Sequence, residues 1–157
     1  MSNWVRWTAP AAIVTTLACP AHAVHYLSIA EAQKLAFPAA ASFADAGDGR
    51  SWKAQSAGKT LGLFVVDHVV GKHLYIDYAV ALDASGRIHR VEILEYRESY
   101  GGEIRNESWL AQFVGKGSGS ALKTGSDIRN ISGATLSSMH VTEGVKRIVA
   151  AYASRVR

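Results

Sequence analysis

Residues 74–96 read LYIDYAVALDASGRIHRVEILEY, and this stretch decides the fold class. In its first part smaller or polar residues alternate with large apolar ones, which stand at Leu74, Ile76, Tyr78, Val80 and Leu82. A period of two predicts a half-buried antiparallel strand with the large side chains on one face. Residues 83–86 then supply a turn, because Gly86 tolerates a positive φ.

Two more strands flank this one in the sequence. Residues 87–96 return after the turn with an alternation that slips once near Arg90, which predicts a β-bulge. Residues 61–70 are dense in Val, Phe and Leu and predict a strand before the first. Residues 39–58 have no clean period, so we expect loops there with one short extended piece around Trp52.

Helices are predicted on both sides of the strands. Ser28 and Glu31 form a capping-box pattern that begins a short helix ending before Pro38. Residues 106–114 predict another short helix whose inward side chains are Trp109, Leu110 and Phe113. The strongest helical period closes the chain, at Val141, Val145, Ile148, Val149, Tyr152 and Val156. The fold class is therefore α+β, an antiparallel sheet packed with helices and ending in an amphipathic helix.

The first residues predict a secretory signal peptide. Arg6 precedes a short apolar run at residues 9–18, and small residues at 21 and 23 form a cleavage pattern. The run is shorter than the roughly 20 apolar residues of a membrane-spanning helix. We therefore expect a signal at residues 1–23, a mature domain at residues 24–157, and export to the periplasm. Cys19 leaves open an alternative, a lipoprotein signal whose cysteine is acylated.

Composition excludes several functional classes. With 157 residues, 48% of them hydrophobic and 19% charged, the chain has the composition of one globular domain. Its basic residues form no run longer than residues 146–147, which argues against a nucleic-acid partner. The only cysteine leaves with the signal, and no two histidines of the mature chain have the spacing of a helical metal pair. No metal site is predicted.

The segment with the most chemistry is residues 132–138, SGATLSS, at the start of the C-terminal helix. The first N–H groups of a helix lack partners and the helix dipole is positive there, so a phosphate group is favoured. A plain N-cap is the alternative that the residue types alone leave open, since Ser and Thr often cap helices.

A resemblance to a known family supports a phosphate-binding role for this segment. Its features are residues 26–37, residues 83–95, residues 109–116 and the segment at residues 131–138, in that order. Together they resemble the FMN-binding domain of the flavin-carrying subunits of the sodium-pumping NADH:quinone oxidoreductase and of the Rnf electron-transport complex. The likeness spans roughly residues 26–150.

The resemblance implies a covalent cofactor and a site. In the family a Mg-dependent flavin transferase takes FMN from FAD and esterifies it to the last hydroxyl of a motif Ser/Thr-Gly-Ala-Ser/Thr-x-Ser/Thr, which here is Ser137. The surrounding residues implied to bind FMN are Ser132, Gly133, Ala134, Thr135, Leu136 and Ser138. A second segment, which in the family lies against the isoalloxazine ring, corresponds to Glu98, Ser99, Tyr100 and Gly101.

Two departures from the family pattern bear on this expectation. Arg129 stands where the transferase motif usually has an aspartate, although a guanidinium group could also pair with the phosphate. Tyr100 replaces a proline and could stack on the flavin or be an ordinary surface tyrosine.

The function expected from the resemblance is electron relay outside the cytoplasm. The partners would be the flavin transferase, which matures the protein, and a membrane or periplasmic redox protein, through which the domain could associate with the membrane. No residue set for substrate turnover is evident, so we expect an electron carrier rather than a stand-alone enzyme. The alternatives are noncovalent FMN and a non-redox periplasmic interaction module of the same fold that never receives flavin.

Overall fold

The computed structural model describes residues 24–156 and is organised by one antiparallel sheet. Its six strands lie in the order β1-β6-β5-β4-β3-β2, so β2 to β6 form a meander and β1 pairs with the outer edge of β6. The strands are β1 (Val24–His25), β2 (Ser42–Asp45), β3 (Ser51–Ser56), β4 (Lys59–Val70), β5 (Tyr75–Asp83) and β6 (Ile88–Tyr96). The predicted signal peptide, with Cys19, lies outside the described residues.

Three α-helices pack on the sheet: α1 (Ile29–Ala36), α2 (Glu107–Leu110) and α3 (Thr135–Tyr152). Short 3₁₀ turns precede α2 and follow α2 and α3. The capping box at α1 is confirmed, because the Glu31 N–H donates to Ser28 Oγ at 3.2 Å and the Ser28 N–H donates to the Glu31 carboxylate at 2.8 Å. The predicted α+β class, the antiparallel sheet and the C-terminal amphipathic helix are all confirmed.

Two hydrophobic cores lie on opposite faces of the sheet. The larger one joins the sheet to α3 and α2, and includes Tyr78, Val80, Phe113, Val145 and Ile148. The smaller one lies under α1 and includes Ala36, Phe37, Phe64, Ala79 and Ala81. Because helices cover both faces, the central strands are buried on both sides.

The prediction for β5 is therefore only partly right. Ile76, Tyr78, Val80 and Leu82 share the face toward the larger core as expected. The strand is not half-buried, however, because its small residues Ala79 and Ala81 face α1 and Phe37 and are each 1% exposed. Leu74 precedes the strand and is 38% exposed, so it does not belong to the core.

The number of strands was also underestimated. Residues 39–58 contain β3, which is the extended piece expected around Trp52, and also β2, where only a loop was expected. The predicted bulge near Arg90 is confirmed, since the β5–β6 register shifts between Ala81 and Leu82, opposite His89 and Arg90. A second shift occurs between Asp77 and Tyr78 and was not anticipated. The predicted helix at residues 106–114 is one turn of α-helix followed by a 3₁₀ turn.

Polar contacts fix the position of α3 over β4. Arg147 of α3 donates to Asp67 of β4 at 2.8 Å, and Arg50 lies 3.5 Å from the other oxygen of the same carboxylate. The Asp67 side chain is only 10% exposed, whereas the side chains of Arg50 and Arg147 are 54% and 57% exposed, so solvent screens the cation side of both pairs. The second half of α3 is thereby held against β4.

Candidate functional site

The SGATLSS segment forms the beginning of α3, as predicted. Thr135 is the first helical residue, and the preceding residue, Ala134, provides no side-chain cap. The first N–H groups of the helix are therefore open to another acceptor. Gly133 has φ +85°, a conformation that favours glycine, and the space around its α-carbon is open. This arrangement suits an anion that approaches the backbone closely.

The three hydroxyl groups of the helix start differ in accessibility. Thr135 is exposed, and its hydroxyl accepts a hydrogen bond from Asn130 Nδ2 at 3.2 Å. Ser137 is only 4% exposed, and its Oγ lies 3.4 Å from the Tyr96 hydroxyl. Ser138 is fully buried and donates to Asn130 Oδ1 at 2.7 Å. Of the three residues, Thr135 is thus the most exposed.

The sequence contains a signal for the burial of Ser137. Ser137 precedes Val141 by four residues, and Val141 begins the apolar stripe of α3. Residues spaced by four lie on one face of a helix, so the stripe extends back to Ser137 and turns its side chain toward the sheet. Thr135 lies off this stripe.

A cleft of about 580 Å³ opens at the start of α3. Three segments form its walls: the helix start, the loop that follows β6, and the tip of the β4–β5 hairpin. The lining residues are Lys72, His73, Glu98, Ser99, Tyr100, Gly133, Ala134, Thr135, Leu136 and Ser137. The volume is within the usual range of small-molecule sites, roughly 300–1,000 Å³.

The structure thus brings together the two segments that the sequence singled out. Ser132, Ser138 and Gly101 do not line the cleft, but Gly101 supports it. It has φ +92°, and a side chain there would meet the Tyr96 hydroxyl at 2.6 Å and the Ala134 side chain at 2.9 Å. The loop after β6 therefore lies directly against the helix start because residue 101 is glycine.

The third wall, Lys72 and His73, was not predicted. These two residues line the cleft because the tip of the β4–β5 hairpin packs beside the start of α3. The local sequence does not indicate this tertiary contact. Glu98 holds this wall, since its carboxylate accepts the N–H groups of His73 and of Leu74, the latter at 2.9 Å. Burial opposes ionisation of Glu98, but these backbone N–H groups outweigh it and lower its pKa below the usual value.

His140 holds the same hairpin from the side of α3. Its Nδ1 lies 2.7 Å from the Val70 carbonyl oxygen and 3.0 Å from that of Gly71. His140 thus connects the second turn of α3 to the end of β4. Glu98 and His140 therefore both hold the backbone of the hairpin tip.

Arg129 lies outside the cleft. Its backbone N–H donates to Gln112 Oε1 at 2.8 Å, and its carbonyl accepts the Trp109 indole N–H at 2.7 Å. The Arg129 side chain lines a separate surface depression with Trp109 and Asn130. In the part of the chain that the structure describes, His, Cys, Asp and Glu form no group of three that could hold a metal ion.

A family model described as FMN-binding domain matches residues 71–150, which is more than half of the chain. The chain belongs to the FMN-binding domain family. The match begins at the tip of the β4–β5 hairpin and ends within α3, so it includes every residue that lines the cleft. No curated protein matches the chain.

The cleft of this FMN-binding domain fits the chemistry of its cofactor. The open N–H groups at the start of α3 suit a phosphate, and a hydroxyl stands beside them at Thr135. Tyr100 and Leu136 line the same cleft and are 87% and 42% exposed, so apolar surface is available for a flat ring. Among residues 24–156, no helix is both long and apolar enough to cross a bilayer.

Tyr96 connects two walls of the cleft. It is 3% exposed, and its hydroxyl donates to the Tyr100 carbonyl and lies near Ser137 Oγ. Burial raises the pKa of Tyr96, so the phenol remains a neutral donor at physiological pH.

Tyr96→Phe is expected to lower the free energy of unfolding by about 0.5–1.5 kcal/mol, because it removes a partly buried hydrogen bond to the Tyr100 carbonyl in the loop after β6. Urea denaturation measures this loss. The matched control is Tyr75→Phe at a tyrosine that is 52% exposed, which should leave the free energy nearly unchanged. Equal effects of the two substitutions would contradict a role for the Tyr96 hydroxyl.

The depressed pKa of Glu98 predicts a pH dependence. Its stabilisation is complete above the pKa of the unfolded chain, about 4.3, and is lost as the pH falls through the lower folded-state value. Glu98→Gln should therefore lower the melting temperature near neutral pH, and the difference from the wild type should shrink in acid. Glu143→Gln, an exposed site on α3, is the control. A difference that stays constant with pH would contradict the assignment.

Proposed function

We propose that this protein is an exported electron-transfer flavoprotein, with FMN in the cleft and the FMN phosphate esterified to a hydroxyl at the start of α3. One observation carries the proposal. The uncapped helix start with its hydroxyl groups, and the loop bearing Glu98 and Tyr100, line one cleft inside the segment that matches the FMN-binding domain. Phosphate and ring sites are thus available side by side.

The choice of hydroxyl is a matter of access. The family motif points to Ser137, whereas the exposure of the side chains favours Thr135, because a phosphorus atom must reach the oxygen that becomes esterified. Ser137 is 4% exposed and faces Tyr96. Thr135 is exposed, and both residues line the cleft. We therefore propose Thr135 as the attachment residue and Ser137 as its alternative.

Attachment would proceed as transfer from FAD by the flavin transferase. The hydroxyl oxygen forms a bond to the FMN phosphorus, the phosphoanhydride bond of FAD breaks, and AMP leaves with the bonding electrons. A base of the transferase accepts the hydroxyl proton. The phosphodiester that results carries one negative charge, which the N–H groups at the start of α3 would stabilise.

The role that this assignment gives the chain is that of a carrier. Bound FMN would supply one- and two-electron redox chemistry, and the protein would supply placement and a polar environment. Tyr100 and Leu136 would contact the ring, and the hairpin tip held by Glu98 and His140 would limit water on one side. Electrons would pass to and from a membrane or periplasmic redox partner.

Localisation in the periplasm follows from the signal expected at residues 1–23 and remains a proposal. A covalent link is useful there, because a dissociated cofactor could not be replaced by local synthesis. Association with the membrane would occur through a partner protein.

The second candidate is a non-redox interaction module that does not receive flavin. Arg129 favours it, because this cation stands where the transferase motif usually has an aspartate, and its side chain is exposed for contact with another protein. A positive charge at that point would weaken recognition by a transferase that expects a negative one.

Flavin fluorescence after denaturing gel electrophoresis separates these candidates. The protein is purified from cells that also produce the flavin transferase, and from cells that do not. The proposal expects a fluorescent band only with the transferase. Yellow protein whose colour is lost on denaturation indicates noncovalent FMN, and colourless protein from both hosts supports the interaction module and contradicts the electron carrier.

A further inference from the structure

The hairpin tip adds an unpaired positive charge to the cleft. Lys72 and His73 are the basic residues among those that line it, and Glu98 is the acidic one. The Glu98 carboxylate is occupied by the backbone N–H groups of His73 and Leu74. Within residues 24–156, the Lys72 ammonium group has no ion pair or side-chain hydrogen bond. The cleft therefore has a cation without a counterion.

Hydrogen bonds to the neighbouring backbone fix the position of Lys72. Glu98 accepts the N–H groups of residues 73 and 74, and His140 contacts the carbonyl groups of residues 70 and 71, so the backbone of residue 72 is fixed between them. The adjacent start of α3 already has a positive dipole end, and a nearby cation there is unfavourable unless an anion joins them. Lys72 and the open N–H groups of α3 thus favour the same kind of ligand, an anion.

We infer that Lys72 supplies the positive charge that pairs with an anionic group of bound FMN. This inference rests on the proposed function and names a residue outside the segments that the family motif indicates. FMN offers two such groups, the phosphodiester and the ring, which becomes negative when it takes up two electrons and one proton. Lys72 is preferred to His73 because its ammonium group offers an anion three donors on a long flexible side chain, whereas the imidazole ring offers two nitrogens on a short one.

The test uses the full chain loaded with FMN by the transferase. Lys72→Gln removes the charge, Lys72→Arg keeps it, and Lys59→Gln is a matched control at an exposed lysine at the opposite end of β4. Two quantities are measured for each variant: the midpoint potential of the flavin by spectroelectrochemistry, and the ³¹P chemical shift of the phosphodiester by NMR.

Lys72→Gln should change one of these quantities, and Lys72→Arg should restore it. If Lys72 pairs with the reduced ring, Lys72→Gln should make the midpoint potential of the flavin more negative. The expected change is about tenfold in the redox equilibrium constant, or ~30 mV for a two-electron couple. A partner role toward the phosphate predicts a shifted ³¹P resonance at unchanged potential. If Lys72→Gln equals Lys59→Gln in both, the inference is wrong. Wild-type protein without any FMN would instead refute the proposed function.

Discussion

Thr135→Ala is expected to abolish covalent FMN, leaving the in-gel fluorescence of the purified protein at background. The reason is the loss of the most exposed of the three hydroxyl groups at residues 135, 137 and 138, where Ser137 is 4% exposed and Ser138 is fully buried. If the phosphoester is on Thr135, the expected change is from full loading to none. Quantitative in-gel fluorescence against the protein stain measures it.

Ser137→Ala is the matched variant and should retain most of the flavin. It removes a hydroxyl of the same segment that faces Tyr96 rather than solvent. Both variants should be checked for folding by circular dichroism, since an unfolded chain would also lack flavin. The opposite pattern, with fluorescence lost in Ser137→Ala and kept in Thr135→Ala, would contradict attachment at Thr135. It would assign the phosphoester to Ser137, the residue that the family motif indicates.

Gly62→Ala is expected to cause the largest loss of stability, about 1–3 kcal/mol or more. A β-carbon at Gly62 would lie 2.2 Å from the Leu82 carbonyl oxygen on the neighbouring strand and 2.6 Å from the Phe37 ring. The carbonyl is part of the sheet backbone and cannot move without disturbing the β4–β5 pairing. Glycine-to-alanine changes gain only about 0.4–1 kcal/mol from the unfolded chain, so the clash decides the sign.

Urea denaturation compares this variant with Gly119→Ala. A side chain at Gly119 meets no atom within 4 Å and its φ is not positive, so that variant should be neutral or slightly more stable. If both variants have the same free energy of unfolding, the prediction of a steric clash between residue 62 and Phe37 and Leu82 is wrong.

The central part of the fold could be predicted because its pattern is local. The alternation at residues 74–82 and the turn at Gly86 specify a hairpin, and the stripe from Val141 specifies α3. The sequence predicts β3 only as a short extended piece around Trp52, and it does not predict β2. The burial of β3 recurs every third residue, with a register shift between Ala54 and Gln55, and β2 is a mostly exposed edge strand. Neither shows a period of two.

The candidate site was predictable in part for the same reason. The segment at residues 132–138 and the loop with Glu98 and Tyr100 have their own local signatures, and the structure places both at one cleft. Lys72 and His73 have none, because their position is determined by the contact of a hairpin tip with Glu98 and His140. The choice between Thr135 and Ser137 depends on which side of α3 faces the sheet. A sequence motif gives the order of the residues but not the orientation of the helix.

The intact mass of the protein, exported by cells that produce the flavin transferase, reports signal cleavage and flavin attachment in one measurement. We expect the mass of the chain from residue 24 onward plus FMN less one water, the increment of a single phosphoester. The mass of that chain alone, under the same conditions, would contradict covalent attachment of FMN.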